Sequence, residues 1–263
     1  MHTINTILSR SDQILLESTL LRFGRIISFA QLYTVMDDIV HVDRANARQR
    51  IARLADKGWL IRLRNGLYLI VTDMSTLGTS DLSEYIIAQA LRKESYISLE
   101  NALQYHGMFD QSLTTVRSIT TAYTRNHKVQ EVDYVFSRVK EDMYFGFTEE
   151  VIDKSYQVNI AEAEKALLDM LYLRDSGHTI SVVIEKLRNY QHRLDISKLQ
   201  HYAQRYGIGM VRTVGFILEL IDVNTSTLLS YTKNYSRGYT KLTKDSSRFN
   251  AKWRLYYDDH LIA

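Results

Sequence analysis

The chain has 263 residues, no cysteine and no proline, 45% hydrophobic and 24% charged residues, and a formal net charge of +3. This composition is typical of a folded globular protein. It excludes a disordered chain, a disulfide scaffold, a thiolate metal site and a cysteine nucleophile. Because no apolar run approaches the ~18 residues of a membrane helix and the start of the chain carries no secretory signal, we expect a cytoplasmic protein with no membrane partner.

The N-terminal region predicts three helices followed by a hairpin. The expected helices cover residues 11–22, 28–36 and 44–57, and the expected strands cover 59–63 and 67–71. Ser28 and Asp43 are suitable N-caps for the second and third helices, and Asn65-Gly66 is a strong hairpin signal. This order of elements is typical of a winged helix-turn-helix, in which the third helix enters the major groove of DNA.

The third predicted helix separates apolar from polar side chains. Its apolar side consists of Ala47, Ile51, Leu54 and Ala55. The opposite side carries Asn46, Gln49 and Arg53, and these residue types bind adenine or guanine edges. An amphipathic surface helix without a ligand is the alternative. The predicted DNA-binding residues of this helix and the hairpin are Arg44, Asn46, Arg48, Gln49, Arg50, Arg53, Arg62, Arg64 and Asn65.

The fold class we predict is α+β, with an N-terminal winged helix-turn-helix followed by a larger mixed α+β domain. We place the DNA-binding domain at residues 1–72, a linker of small polar residues at 73–80, and the C-terminal domain at 81–263. Helices are expected in that domain over 81–91, 100–106, 161–174, 181–190, 196–206 and 210–222. Strands are expected over 115–123, 128–139, 143–147 and 156–160.

The helix over 161–174 shows a repeated apolar pattern. Its expected buried stripe consists of Ala166, Leu167, Met170 and Leu171, which recur at helical spacing. This pattern indicates a central helix of the C-terminal domain.

Near the C-terminus, tyrosines alternate with cations at every odd position from Tyr231 to Lys241. In an extended segment these large side chains would share one face, which suits phosphate contact and base stacking. In a helix they would form an ordinary half-buried amphipathic surface, and the sequence leaves both interpretations open. The predicted second basic patch comprises Lys233, Arg237, Lys241, Arg248, Lys252 and Arg254.

Positive charge is concentrated in two segments. Residues 44–64 and residues 233–254 each contain seven Lys or Arg and one Asp, so each carries +6. Because the total is +3, the rest of the chain carries −9. This distribution indicates a polyanionic partner, with two solvated surfaces as the alternative.

No catalytic motif is present in the sequence. It contains neither Gly-x-Ser-x-Gly nor His-Glu-x-x-His nor a phosphate loop. The eight histidines are scattered, and none pairs with another at i, i+4 spacing. We therefore expect no enzyme, no cofactor and no metal, and we expect His106 to be structural.

Two motifs follow the basic segment KGWLIRLRNGLYLI. The first consists of Ser98, Ala102, Leu103, His106, Gly107 and Met108. The second consists of Ala161, Glu164, Lys165, Ala166, Leu167, Leu168 and Asp169. Over roughly residues 10–175, the chain resembles the AbiEi-type antitoxins, which are the transcriptional regulators of bacterial abortive-infection toxin–antitoxin pairs. Ala163 stands where that family usually has proline, and proline is optional in a first helical turn.

The resemblance implies an autorepressor that acts in phage defence. Such a protein binds inverted repeats of double-stranded operator DNA upstream of its own operon, as a monomer or weak dimer. Its C-terminal domain would counter a nucleotidyltransferase-like toxin, in a type IV pair that does not require direct contact. Two alternatives remain: a winged-helix transcription factor with a C-terminal sensing or dimerisation domain, and a nucleic-acid-processing enzyme targeted by its winged helix.

Overall fold

The computed structural model describes residues 7–78, 80–123, 125–153, 155–173, 176–235 and 237–258. The chain divides into two compact units. The described residues of the first lie in Met1–Lys93, Arg125–Tyr134 and Val151–Tyr156, and those of the second lie in Glu94–Thr124, Val135–Glu150 and Gln157–Ala263. The fold mixes helices with several sheets, so the predicted α+β class is confirmed.

The elements are named in chain order. The N-terminal ones are α1 (Arg10–Phe23), β1 (Ile26–Ser28), α2 (Phe29–Val40), α3 (Arg44–Asp56), β2 (Leu60–Arg64), β3 (Leu67–Ile70) and α4 (Glu84–Leu91). Next come β4 (Tyr96–Ile97), α5 (Leu99–Tyr105), β5 (Thr115–Thr120), β6 (His127–Val129), β7 (Val132–Arg138), β8 (Phe147–Ile152) and β9 (Tyr156–Ala161). The remainder are α6 (Ala163–Leu173), α7 (Gly177–Tyr190), α8 (Ile196–Tyr206), α9 (Ile208–Leu220), α10 (Ser226–Thr232), β10 (Thr240–Lys241), β11 (Arg248–Asn250) and β12 (Leu255–Tyr257).

Capping side chains determine where α2 and α3 begin. Ser28 and Gln31 form a reciprocal capping box at the start of α2. At the start of α3, Asp43 accepts hydrogen bonds from the backbone N–H groups of Ala45 (2.8 Å) and Asn46 (2.9 Å). Both predicted caps are confirmed.

The core of the first unit is formed by α1, α2, α3 and a three-stranded sheet of order β1-β3-β2. On α3, Ala47, Ile51 and Leu54 are buried and Ala55 is half-buried, as predicted. The polar side of α3 consequently faces solvent. Strand β1 was not predicted because three residues are too few to show an alternating pattern. None of the described helices is both long and apolar enough to span a bilayer.

A six-stranded sheet has the order β6-β7-β5-β4-β9-β8. The predicted single strand over 128–139 is instead a hairpin, because Gln130 adopts a positive φ of 55° and turns the chain between β6 and β7. The strand predicted over 143–147 is also wrong. Glu141–Met143 forms a 3-10 turn, and the strand starts only at Phe147.

Helix α6 is enclosed on nearly all sides. Ala166, Leu167 and Met170 of the expected stripe are buried, whereas Leu171 is only half-buried. The polar residues Glu164, Lys165 and Asp169 are buried as well. Residue 174, the predicted end of this helix, lies outside the described residues.

Residues 231–241, in which tyrosines alternate with cations, form neither one extended strand nor one helix. Helix α10 ends at Thr232, and strand β10 comprises only Thr240–Lys241. Tyr231 and Tyr235 stack at 5.3 Å around the turn that follows the helix. Of the two interpretations that the sequence left open, the one in which all the large side chains share one extended face does not hold, because the chain changes direction within the segment.

Candidate nucleic-acid interface

A cleft of about 550 Å³ lies between α3 and the β2–β3 hairpin. Its lining residues come from α2, α3 and the hairpin, and they are Phe29, Arg48, Ile51, Ala52, Arg62, Asn65, Gly66 and Tyr68. Arg48, Arg62 and Asn65 are exposed, whereas Ile51 and Tyr68 are buried. Cationic and amide groups from two elements thus converge on one concave surface of the first unit.

Two arginines of α3 lie over aromatic rings of α2. The guanidinium carbon of Arg44 is 5.5 Å from the ring centre of Tyr33, and that of Arg48 is 5.7 Å from the ring centre of Phe29. The two rings are nearly parallel, with centres 6.2 Å apart and an interplanar angle of 11°. A planar guanidinium on a ring keeps its N–H edge available for a phosphate or base. The rings therefore position both cations at the surface.

The predicted base-reading residues Asn46, Gln49 and Arg53 are all exposed on α3. The amide nitrogen of Asn46 donates a hydrogen bond of 2.7 Å to Oδ2 of Asp43. Hydrogen bonds from the backbone N–H groups of Asn46 and Ala45 and from this amide lower the pKa of the exposed Asp43. Asn46 is thereby oriented by the cap, while Gln49 and Arg53 lie along the exposed side of the same helix.

Arg50 differs from the other predicted DNA-binding residues. Its Nε lies 2.7 Å from Oδ1 of Asp12, and its Nη2 lies 2.6 Å from Oγ of Ser11. The side chain is only 14% exposed. Arg50 therefore attaches α3 to α1, and we remove it from the predicted interface. The partner Asp12 precedes Arg50 by 38 residues, so no local pattern on α3 indicated this role.

The tip of the hairpin holds the remaining predicted residues. Arg62 donates a hydrogen bond to the side-chain oxygen of Asn65, and Arg64 is exposed at the end of β2. Gly66 has a φ of 71°, a value that favours glycine in the turn. Burial lowers the pKa of His127, and the positive charges of Arg64 and Arg92 act in the same direction.

The predicted second basic patch is divided by internal contacts. Lys252 forms an ion pair of 2.8 Å with Glu219, and Nε of Arg254 donates a hydrogen bond of 2.9 Å to the backbone oxygen of Gly238. Lys241 lies 5.8 Å from the ring centre of Tyr256. Lys233, Arg237 and Arg248 are exposed, as Lys241, Lys252 and Arg254 are. The six cations are consequently all open to solvent but differ in their internal contacts.

A buried polar cluster in the second unit was not predicted as a site. Lys165 and Asp169 are fully buried and form an ion pair across one turn of α6. Nζ of Lys165 also donates to the hydroxyls of Tyr96 (2.8 Å) and Tyr206 (2.6 Å). Asp169 accepts hydrogen bonds from both tyrosines and from Ser98, whose Oγ lies 2.7 Å from Oδ2. This cluster ties α6 to β4 and α8.

The electrostatics of this cluster indicate a structural role. Burial lowers the pKa of Lys165, although Asp169 opposes the shift by favouring the ammonium form. Burial and the Asp169 carboxylate raise the pKa of both Tyr96 and Tyr206, so the two hydroxyls stay protonated. The ammonium and the carboxylate therefore have their hydrogen bonds satisfied internally. A Lys and an Asp at i, i+4 in a mostly apolar helix were the available sequence signal.

The cluster also brings together the two motifs noted in the sequence. Ser98 of the first motif contacts Asp169 of the second, as described above. In addition, Nε2 of His106 lies 2.8 Å from the backbone oxygen of Ala161. His106 therefore has a structural hydrogen bond. Among the described residues, no group of three or more His, Asp or Glu side chains is arranged to hold a metal ion.

Comparison with known proteins shows similarity at the level of the fold. No protein-family model matches the chain, and no curated protein sequence matches it. Among solved structures, the fold is similar to that in the crystal structure of RV2827C protein from Mycobacterium tuberculosis, with a TM-score of 0.64 and 8% sequence identity. The match covers 96% of this chain and 92% of that chain. At this identity the similarity shows a shared fold alone.

Proposed function

We propose that the first unit contains a winged helix that binds double-stranded operator DNA through α3 and the β2–β3 hairpin. The observation that carries this proposal is the cleft where Arg48 of α3 meets Arg62 and Asn65 of the hairpin. A helix and a hairpin presenting cations on one surface suit the major groove and the adjacent phosphates of a duplex. The order of α1, α2, α3 and hairpin supports the same interpretation.

The proposal assigns different roles to different side chains. Asn46, Gln49 and Arg53 read base edges, because they are exposed along α3 and can form the hydrogen bonds that distinguish bases. Arg62 and Arg64 hold phosphates, which position the protein without reading sequence. Arg44 and Arg48 flank the reading side and are oriented by the rings of α2.

Binding to the chain's own promoter tests the proposal. If about six phosphates are neutralised, affinity falls roughly 10³-fold between 50 and 200 mM salt. We expect the double variant Arg53→Ala/Arg64→Ala to weaken binding strongly in a gel-shift or anisotropy titration. The matched control is Arg188→Ala, which removes an exposed arginine of α7 in the second unit. Unchanged promoter binding by the double variant, with the fold intact by circular dichroism, would refute the proposal.

Sequence preference separates the residues that read bases from those that hold phosphates. We expect Gln49→Ala to lose about tenfold or more on operator DNA and much less on scrambled DNA, because a bidentate base contact is lost. Arg62→Ala should weaken both DNAs to a similar degree. Equal losses on both DNAs for Gln49→Ala would show that α3 does not lie in the major groove as proposed.

We further propose that the protein is a cytoplasmic autorepressor and the antitoxin of an abortive-infection pair, and that it counters a nucleotidyltransferase-like toxin through its second unit. The support is the resemblance of its two motifs to those of AbiEi-type antitoxins. Their contact through Ser98 and Asp169 gives both motifs a place in one packed cluster. Co-expression with the adjacent gene tests the proposal by growth rescue. A non-toxic neighbour would favour a winged-helix transcription factor outside any toxin–antitoxin pair.

A further inference from the structure

The small C-terminal sheet carries a row of aromatic and cationic side chains. It has the order β10-β12-β11, and Tyr256 of β12 is paired in register with Lys241 of β10 and Phe249 of β11. Residues paired across neighbouring strands project from the same face of a sheet. The next residue along β12, Leu255, is fully buried. The face that bears Tyr256 is therefore the outer one.

Two of the aromatic rings on this face are exposed. Tyr239 is 63% exposed and Phe249 is 49% exposed. Both contact Tyr256, with ring centres 5.2 Å and 4.9 Å away, respectively. Lys241 lies 5.8 Å from the same ring centre. We call Tyr239, Tyr256, Phe249 and Lys241 the aromatic ridge.

Beneath the aromatic ridge, the C-terminal sheet packs against helix α9. Trp253, which precedes β12, is fully buried and packs directly against Gly215 of α9. A Cβ at residue 215 would lie only 2.1 Å from the indole ring, so glycine is needed there. The indole nitrogen of Trp253 donates a hydrogen bond to Glu219 of α9. Arg212 of the same helix donates to the backbone oxygens of Tyr235 (3.2 Å) and Arg237 (3.1 Å). The exposed rings are thus held in place by contacts beneath and beside the sheet.

From these contacts we infer that the aromatic ridge is a binding site for single-stranded nucleic acid. The rings of Tyr239 and Phe249 meet Tyr256 at interplanar angles of 78° and 49°. Such exposed rings and the neighbouring Lys241 provide the stacking surface and the phosphate contact that unpaired bases require. The surrounding segment, residues 233–254, carries +6, which matches a polyanion and disfavours a cationic or purely apolar partner. The bases of a duplex are already stacked within the helix, so such a ridge selects single strands.

Fluorescence anisotropy with labelled U12 RNA and dT12 DNA tests this site. The full-length protein carries Arg53→Ala and Arg64→Ala, so that cations of the first unit contribute less to binding. We expect Tyr239→Ala and Phe249→Ala each to weaken single-strand binding about tenfold, with a much smaller effect on a duplex of equal length. Phe249→Tyr retains a ring and should bind as the parent does. Tyr123→Ala removes a tyrosine that is 78% exposed in another loop and should change nothing.

Two further readouts separate stacking from charge and RNA from DNA. Lys241→Ala should reduce the slope of log affinity against log salt by about 0.7, the value for one phosphate of a single strand. Oligonucleotides that contain 5-iodouridine should form photo-crosslinks to peptides that contain Tyr239, Phe249 or Tyr256. Preference for U12 over dU12, which has the same bases and lacks only the 2′-hydroxyl, would assign recognition of the ribose 2′-hydroxyl, and equal affinity would assign recognition of bases and backbone alone.

Three results would overturn the inference. The first is that neither Tyr239→Ala nor Phe249→Ala changes the affinity for single-stranded oligonucleotides. The second is crosslinking confined to residues 44–64. The third is loss of growth rescue by the ring variants with unchanged oligonucleotide binding, which would make the ridge a protein-docking surface. Because Tyr239 precedes the strand and is the most exposed ring of the ridge, its variant remains informative even if Phe249→Ala fails to fold.

Discussion

Cations lie over aromatic rings in both units of this protein, and two of these clusters differ sharply in exposure. In the first unit, Arg44 and Arg48 are exposed above rings of α2. In the second unit, the fully buried Lys165 lies within 5.3 Å of the ring centres of Tyr96, Phe145 and Tyr206. The same combination of residue types therefore lies at an exposed surface in the first cluster and in a packed interior in the second.

An internal carboxylate accounts for the difference. Asp169 lies one helical turn from Lys165 and neutralises it inside the protein. No ion pair to Arg44 or Arg48 occurs among the residues that the structure describes, and both cations stay available to a ligand. A cation close to aromatic rings therefore indicates a binding site only where no carboxylate of the protein itself is paired with that cation.

The largest expected effect comes from breaking the buried pair. Lys165→Met leaves Asp169 charged and without its ammonium partner in the interior, which costs about 3–5 kcal/mol of unfolding free energy. The measurement is urea denaturation of the Trp59→Phe protein, in which Trp253 reports on the second unit alone.

The control for this change removes both charges. Lys165→Met/Asp169→Asn keeps an acceptor for the hydroxyls of Ser98 and Tyr96 and should recover much of the lost stability. A loss below about 1 kcal/mol for Lys165→Met alone would contradict the role of the pair, because breaking a buried ion pair ordinarily costs more.

A smaller effect is expected from the contact between α3 and α1. Arg50→Ala removes two hydrogen bonds to α1 and should lower the unfolding free energy by about 1–2 kcal/mol, after allowance for the partial exposure of the pair. It should leave the operator affinity of the folded protein unchanged, in contrast to Arg53→Ala. Denaturation and anisotropy measured on the same samples test both statements. A loss of operator affinity equal to that of Arg53→Ala would return Arg50 to the interface.

The same contact predicts a dependence on pH. Burial opposes ionisation of Asp12, but hydrogen bonds from Ser9 and Arg50 and the charge of Arg50 outweigh it and lower the pKa of the carboxyl. A carboxyl whose pKa is lowered by folding stabilises the fold at pH values above its pKa in the unfolded chain, which is about 3.9. This contribution disappears as the pH falls through the lowered pKa of the folded protein. The parent protein should thus be more stable than Asp12→Asn at pH 7, and this difference in unfolding free energy should disappear below about pH 4. A difference that persists at pH 2 would refute this account.

The smallest effect concerns the ring beneath Arg48. Phe29→Leu keeps apolar volume against the core but removes the aromatic face, so operator affinity should fall about two- to fivefold, as expected for an exposed cation–π contact. Anisotropy on operator DNA measures the change, with Tyr123→Ala as the control. Unchanged affinity would show that the rings do not orient the exposed arginines for binding.

Local patterns predicted much of the first unit. Ser28 and Asp43 cap the helices as expected, and the Asn65-Gly66 turn joins β2 and β3. The inward face of α3 also follows directly from helical periodicity. These features depend on residues within a few positions of one another, and short-range sequence carries that information.

Predictions failed where distant contacts determine the outcome. The extended face, one of two interpretations that the sequence left open for residues 231–241, does not form, since the segment is divided between α10, a turn and β10. The strand expected over 143–147 begins only at Phe147. Gly146, with a φ of 71°, packs closely against Lys165 and Tyr202 just before it. Neither neighbour of Gly146 is close to it in sequence.

The sequence by itself determined the α+β class, the helix caps, the hairpin and the two basic segments. Only the tertiary structure decided which cations stay exposed. Arg50 is bound by Asp12, 38 residues away, and Lys165 is enclosed by Tyr96 and Tyr206, 69 and 41 residues away. Helical periodicity and capping act within a single turn of chain, whereas burial and ion pairing depend on which segments the folded core brings together.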